Sequence, residues 1–239
     1  MKRYIVLLVS LAAGGAGACG GSDLDPGAGD DPGHGTSTLL VNGDISARPR
    51  LSNAREPGDF ETELSVRVML NQQPLTTGTV TVTSASGNFP LTYHADPGRW
   101  EGPAAGYDQV YVLDVVSESG TDSLEGVRVD GPDIHVFTAP TAGATVDSTM
   151  PLRLTWDSDQ TADSASVDTE QLERVAIPDT GEYMLAPGAL KAERDKALEN
   201  SIELSRTNRV TPAGALGGSD FSVRIENRIT VIAQPNPAL

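Results

Sequence analysis

Four aspartates, two aromatic rings and one thiol are the groups in this 239-residue chain whose types and spacing suggest chemistry. Asp157, Asp159, Asp163 and Asp168 take places one, three, seven and twelve of a short polar run. Hard divalent cations need several oxygen ligands, so this spacing makes a candidate calcium site. Ala162 stands where the sharp turn of such a loop needs glycine, and Asp168 where a longer bidentate carboxylate belongs. A solvated acidic loop is the competing expectation. Trp100 and Tyr107 lie near turns, with Tyr93 and Tyr111 close in sequence. Exposed, their faces would form a platform for a sugar or peptide; buried, they would fill a core. His34, His94 and His135 have no second ligand at metal-binding spacing, so each is expected as a surface or hydrogen-bonded side chain. No Gly-x-Ser-x-Gly or Ser-x-x-Lys pattern marks an activated serine. Carboxylate pairs of the glycosidase kind carry no information among 33 acidic residues. No catalytic residue is assigned, and no cofactor is expected beyond the candidate calcium.

The thiol belongs to Cys19, the only cysteine. It follows a basic start (Lys2, Arg3), an apolar stretch (Tyr4 to Ala13) and five small residues (Gly14 to Ala18). That order is the pattern of a secretory signal peptide with a small-residue cleavage site. The apolar stretch is too short to span a bilayer, which takes roughly 20 residues. Ala16-Gly17-Ala18-Cys19 resembles the lipobox of bacterial lipoproteins, with Ala16 where leucine is usual. The resemblance implies cleavage before Cys19 and acylation of its sulfur. Each buried CH₂ contributes about 0.8 kcal/mol, so several acyl chains hold a protein stably where one does not. The implied partner is the membrane, and the implied place is the cell envelope at the outer membrane.

Composition limits what the body of the protein does. Removing Met1 to Ala18 takes away two basic residues and no acidic one, which moves the net charge from −16 to −18. A chain this acidic is a poor partner for nucleic acid, whose phosphates need Lys and Arg. Aromatic content is 5%, with 25 Gly and 16 Pro, and Val and Thr fill the apolar runs. This is a β composition with many turns.

The elements that must position these groups follow from periodicity. Ser22 to Ser37 holds almost no large apolar residue, so 19–37 is expected to be a flexible Gly/Asp/Pro tether. From Thr38, alternating runs predict half-buried strands: Glu61 to Leu70, Thr79 to Thr83, Phe89 to Tyr93, Gln109 to Val116 and Leu124 to Val129. Asp130-Gly131-Pro132 predicts a boundary, giving a first sandwich over 38–132 and a second over 133–239. In the second, Leu152, Leu154 and Trp156 alternate with polar residues. Phe221, Val223, Ile225, Ile229 and Val231 share a face interrupted by Asn227, which suggests a bulge. Gly214 to Gly218 predicts a hairpin loop, and Ala189 to Leu198 one short helix.

Val66 to Val82 and Tyr93 to Gly102 resemble the hairpins of small immunoglobulin-like and carboxypeptidase-regulatory-like sandwiches. Phe137 to Val146 with Leu152 to Trp156 is similar to the opening strands of fibronectin-III-like and bacterial immunoglobulin-like domains. These resemblances imply an all-β protein of two tandem immunoglobulin-like β-sandwiches. With the lipobox and tether, the whole resembles uncharacterised surface lipoproteins of Gram-negative bacteria. The role this implies is non-catalytic: scaffolding, adhesion, or binding of an envelope protein or glycan. A calcium- or glycan-binding module is the alternative, and a carboxylate-based hydrolase a remote one.

Overall fold

Val, Ile and Thr at alternate positions favour an extended backbone with one face buried, and this chain is built from such runs. The structure, a computed structural model, describes residues Leu24 to Asn236. Among them the chain is all-β. In chain order the strands are β1 (His34–Gly35), β2 (Leu39–Pro49), β3 (Phe60–Leu70), β4 (Gln73–Pro74), β5 (Gly78–Ser84), β6 (Gly87–Pro90), β7 (Thr92–His94), β8 (Arg99–Ala105) and β9 (Val110–Ser117). The second run is β10 (Ser123–Asp130), β11 (Val136–Ala139), β12 (Thr145–Val146), β13 (Leu152–Asp157), β14 (Ser164–Thr169), β15 (Val175–Ile177), β16 (Glu182–Leu185), β17 (Leu198–Val210) and β18 (Asp220–Ala233). A single 3-10 turn, Pro57–Asp59, precedes β3. No helix among the described residues is long and apolar enough to cross a membrane.

The sheets do not divide at residue 132. One sheet runs β15-β14-β17-β18-β2-β3-β8-β7, with β12 added to β18 and β4 to β3. A five-stranded sheet, β1-β10-β9-β5-β6, covers one half of it, and a three-stranded sheet, β11-β13-β16, covers the other. Two hydrophobic cores result. The first joins Leu39, Ile45, Phe60, Leu64, Trp100, Tyr111 and Leu113 to Val210, Phe221, Val223 and Ile225. The second joins Phe137, Leu154, Trp156 and Val167 to Ile202, Leu204, Ile229 and Val231. Strands β17 and β18 pass through both. The expected cut between 38–132 and 133–239 is therefore corrected: the last two strands belong to both sandwiches. The cause is that β18 lies parallel to β2, Phe221 beside Gly43 and Ile225 beside Ala47, and so completes the first sandwich's sheet.

Between the cores lies a polar layer, the waist of the molecule. Arg206 on β17 is fully buried and pairs with Asp179 at 2.8 Å. It also donates to the carbonyls of Asp133, at 3.0 Å, and Gln160. Asn208 donates to the Asp130 carbonyl at 2.8 Å. Asn227 donates to the carbonyls of Ala54 and His135, at 2.8 and 2.6 Å, and accepts from the Ala54 amide. These side chains hold the 130–137 connection against the long strands. Asn227 is no bulge: it pairs in regular register with Leu204, and its amide satisfies a crossing segment.

Three further expectations change. Ala189 to Leu198 is a loop, not a helix. Ala189 and Leu190 are buried in the second core. The Asn200 side chain accepts from the Lys191 amide at 2.6 Å and donates to the Lys191 carbonyl at 2.9 Å. Ten residues hold a helix only marginally, so packing and that side chain win. Val66 to Val82 is not one hairpin. The chain turns at Asn71-Gln72 into the two-residue β4, then crosses to the other sheet, where β5 pairs with β9 and β6. The Tyr93 to Gly102 hairpin forms as expected, Tyr93 opposite Trp100.

The last correction concerns the tether. Residues 25–37 are packed as a strap along β10. Asp130 Oδ2 accepts the amides of Gly27 and Gly29 at 2.9 and 3.1 Å. Arg128 donates to the Asp25 carbonyl at 2.6 Å and to Asp130 Oδ1 at 2.7 Å. Asp31 and Arg128 exchange both backbone bonds, and β1 pairs with Glu125 and Leu124. Burial, opposed by the Asp130 amide and joined by the charges of Asp130 and Asp163, raises the Asp30 carboxyl above its usual range. Glycine serves close approach here: Gly33 has φ 65°, and a Cβ would lie 2.4 Å from the Glu125 carbonyl oxygen. The apolar deficit of the segment is offset by hydrogen bonds rather than by burial.

Candidate functional site

Alternation places every second residue of β2, β3, β8 and β18 on the outer face of the large sheet. Arg48, Glu61, Glu63, Arg99, Glu101, Arg224 and Glu226 stand there. Glu226 is a nearly buried hub for three cations, with Arg174 at 3.3 Å, Arg48 at 3.6 Å and Arg224 at 3.6 Å. Arg174 also meets Asp168 and Glu203, each at 3.2 Å. Burial works against the Arg174 charge, but Glu226, Asp168 and Glu203 outweigh it and raise its pKa. Burial, then the charges of Glu226 and Asp168, raise the Glu203 carboxyl. In so acidic a chain, this face interleaves both signs.

A trough of about 1010 Å³ opens in this face where it meets the edge of the first sandwich. Arg48, Arg50, Glu61, Glu63, Glu101 and His94 supply its polar groups; Phe89, Pro90 and Pro103 supply an apolar wall. Its rim follows from unequal strand lengths. β7 pairs with β8 only at residues 99–101, so Gly102 to Ala105 have no strand partner on that side. Pro103 has no N–H, which blunts that edge against strand addition. Recognition therefore falls to side chains. Arg50 and Glu61 pair at 3.3 Å with both side chains more than half exposed. Such a pair contributes only ~0–1 kcal/mol, so a ligand can displace it at little cost. Guanidinium donors, carboxylate acceptors and one imidazole around an apolar wall suit a ligand rich in hydroxyl or amide groups.

The expected site residues fall elsewhere. Trp100 is 6% exposed, and its indole N–H donates to the Leu75 carbonyl at 2.9 Å. Tyr107 is 4% exposed, and its hydroxyl donates to the Pro132 carbonyl at 2.5 Å. Burial holds that hydroxyl well above its ordinary pKa. Both are core residues with their polar ends satisfied, so neither offers an open stacking face. The four aspartates do not converge. Asp168 pairs with Arg174, and Asp163 accepts the Arg209 amide at 2.9 Å. Asp157 and Asp159 line a separate hollow with Asp179, whose carboxylate is taken by Arg206. No group of three or more His, Cys, Asp or Glu among the described residues is placed to hold a metal. The run is broken because β14 starts inside it, at Ser164, and carries Asp168 onto the sheet.

Of the histidines, His94 is exposed at the trough and His34 is in the strap. His135 is fully buried in the waist, its Nε2 bonded to the Leu204 carbonyl at 3.0 Å. Burial and the nearby Arg206 charge push its pKa down to about 3. Cys19 lies outside the described residues. Sequence reasoning missed the trough; the signal for it was the charged residues at every second position, Arg48 and Arg50 flanking Pro49, and Glu61 and Glu63 flanking Thr62.

No protein-family model and no curated protein matches the chain. Among solved structures, it is similar to the fibronectin(III)-like modules of Clostridium thermocellum CbhA. The identity is 15% and the TM-score 0.24, over 76% of this chain and 92% of that one. It is also similar to a structure of Dpr11 IG1 bound to DIP-gamma IG+IG2, at 14% identity and TM-score 0.23, covering 81% and 96%. The sheet arrangement described above rests on the strand pairing, not on these likenesses.

Proposed function

We propose that this protein is a non-catalytic binding module of the bacterial cell envelope, held in the outer membrane by acyl chains on Cys19, which binds a glycan in the outer-face trough. The trough carries the reading. It gathers both hydrogen-bond donors and acceptors on paired strands, beside an apolar wall, in a face where arginines and carboxylates interleave. The leader and the lipobox-like Ala16 to Cys19 support the anchor. The immunoglobulin-like assignment of the sandwiches belongs to the same reading.

Two experiments test it. Metabolic labelling with palmitate should mark the wild type, and Cys19→Ser should abolish the label and release the protein from membranes. An envelope-glycan array should show retention that drops at least tenfold in the Glu63→Gln, Glu101→Gln double variant, with melting unchanged. Binding that survives this pair, or no binding to any glycan, overturns the glycan assignment. In the second case, an envelope protein lost on the same substitutions is the alternative ligand.

A further inference from the structure

We propose that the protein lies along the membrane, tied at its waist, with the strap flank toward the bilayer and the trough on the flank turned away. The inference rests on acylation of Cys19 as given above. A free tether over residues 19–37 would leave the body's orientation undetermined. The strap removes that freedom. From Asp25 to Ser37 the segment is bonded to the body without a break: Arg128 and Asp130 at one end, Leu124 and Glu125 in the middle, and Ser123 and Gly214 at the other. Glycine again permits the contact, since Gly214 has φ 72° and a Cβ there would lie 2.2 Å from the Gly35 nitrogen. Only four residues separate Cys19 from Leu24, and the five Cα–Cα steps between them span at most about 17 Å.

The place where the strap begins decides the orientation. Strand β1 runs antiparallel to β10, so the strap's start lies at the Asp130 end of β10. That end is the waist, where Asn208 holds the Asp130 carbonyl and Arg206 the Asp133 carbonyl. The anchor therefore pulls on the middle of the molecule, with one sandwich to either side. The strap also occupies one edge of the five-stranded sheet, and β6, with Phe89 and Pro90 of the trough, occupies the other. At about 4.8 Å per strand spacing, the two edges stand roughly 19 Å apart. An anchor on the β1 edge thus presents the trough outward.

Tryptophan emission tests this without added labels on the protein. Trp100 lies in the first core and Trp156 in the second. The mature chain, coupled through Cys19 to a maleimide lipid in phosphatidylcholine vesicles carrying a dansyl lipid, is compared as Trp100→Phe and Trp156→Phe single-tryptophan forms. Both should transfer energy to the dansyl lipid. Inserting twenty Gly/Ser residues between Ser22 and Asp23, ahead of the strap, should lower both transfers together. Transfer from one tryptophan alone means an end-on molecule and overturns the proposal; so does transfer that the insertion leaves unchanged. Amide exchange supplies a second reading. The Gly27 and Gly29 amides should exchange slowly and become at least tenfold faster in Asp130→Ala; fast exchange in the wild type overturns the strap. The maleimide coupling supplies the anchor chemically. Loss of orientation is thereby separated from failure of cells to acylate Cys19, which palmitate labelling reads.

Discussion

Arg206 and Asp179 show what a buried charge does in this fold. Their side chains are 0% and 3% exposed, and the guanidinium also satisfies two carbonyls of crossing segments. Breaking a buried pair costs more than the pair contributes, because one charge is left without compensation. Asp179→Ala should therefore lower stability by about 3–5 kcal/mol in urea denaturation, and Arg206→Met added to it should restore much of the loss. His135 beside them makes a pH prediction. Its imidazole takes a proton near pH 6.5 when unfolded and near 3 when folded. Between those values the unfolded chain holds more protons, so stability falls as pH drops, by up to about 1.4 kcal/mol per pH unit. His135→Gln should flatten that slope in urea titrations at pH 6.5, 5.5 and 4.5. An unchanged slope would mean that the waist admits the proton.

Among the elements, the long strands were the most legible. Phe221, Val223, Ile225, Ile229 and Val231 alternate over a run too regular for another structure, and all five are buried as expected. Leu154 and Trp156 on β13 and the β7–β8 hairpin were legible for the same reason. Two segments without an alternating apolar pattern were not. Ala189 to Leu198 has helical composition but sits where Leu190 is needed in a core and Asn200 claims the backbone of Lys191. The strap misled in the opposite sense. Its composition lacks apolar groups, and what orders it is Asp130, Arg128 and the β10 backbone, about ninety to a hundred residues away, with Gly214 still farther along the chain. A contact at that separation leaves no local pattern.

At the scale of the whole molecule, β17 and β18 run through both sandwiches and join them. Each strand gives residues to both cores, and the Arg206–Asn227 layer ties the connection between them. Urea unfolding followed through Trp100 alone and through Trp156 alone should give the same midpoint, a coincidence that marks all-or-none unfolding. Midpoints separated by more than about 0.5 M, or roughly 1 kcal/mol at typical slopes, would show two independent units. By itself the sequence determined the β class, the net acidic charge and the alternating faces of the long strands. These depend on residue type and on spacings of two, which a linear chain displays. The sharing of strands between cores, the docking of the strap, the burial of Trp100 and Tyr107 and the gathering of Arg48, Arg50, Glu63 and Glu101 around one trough were decided by tertiary structure. Each depends on which strand lies beside which, and the β2–β18 pairing joins residues more than 170 positions apart.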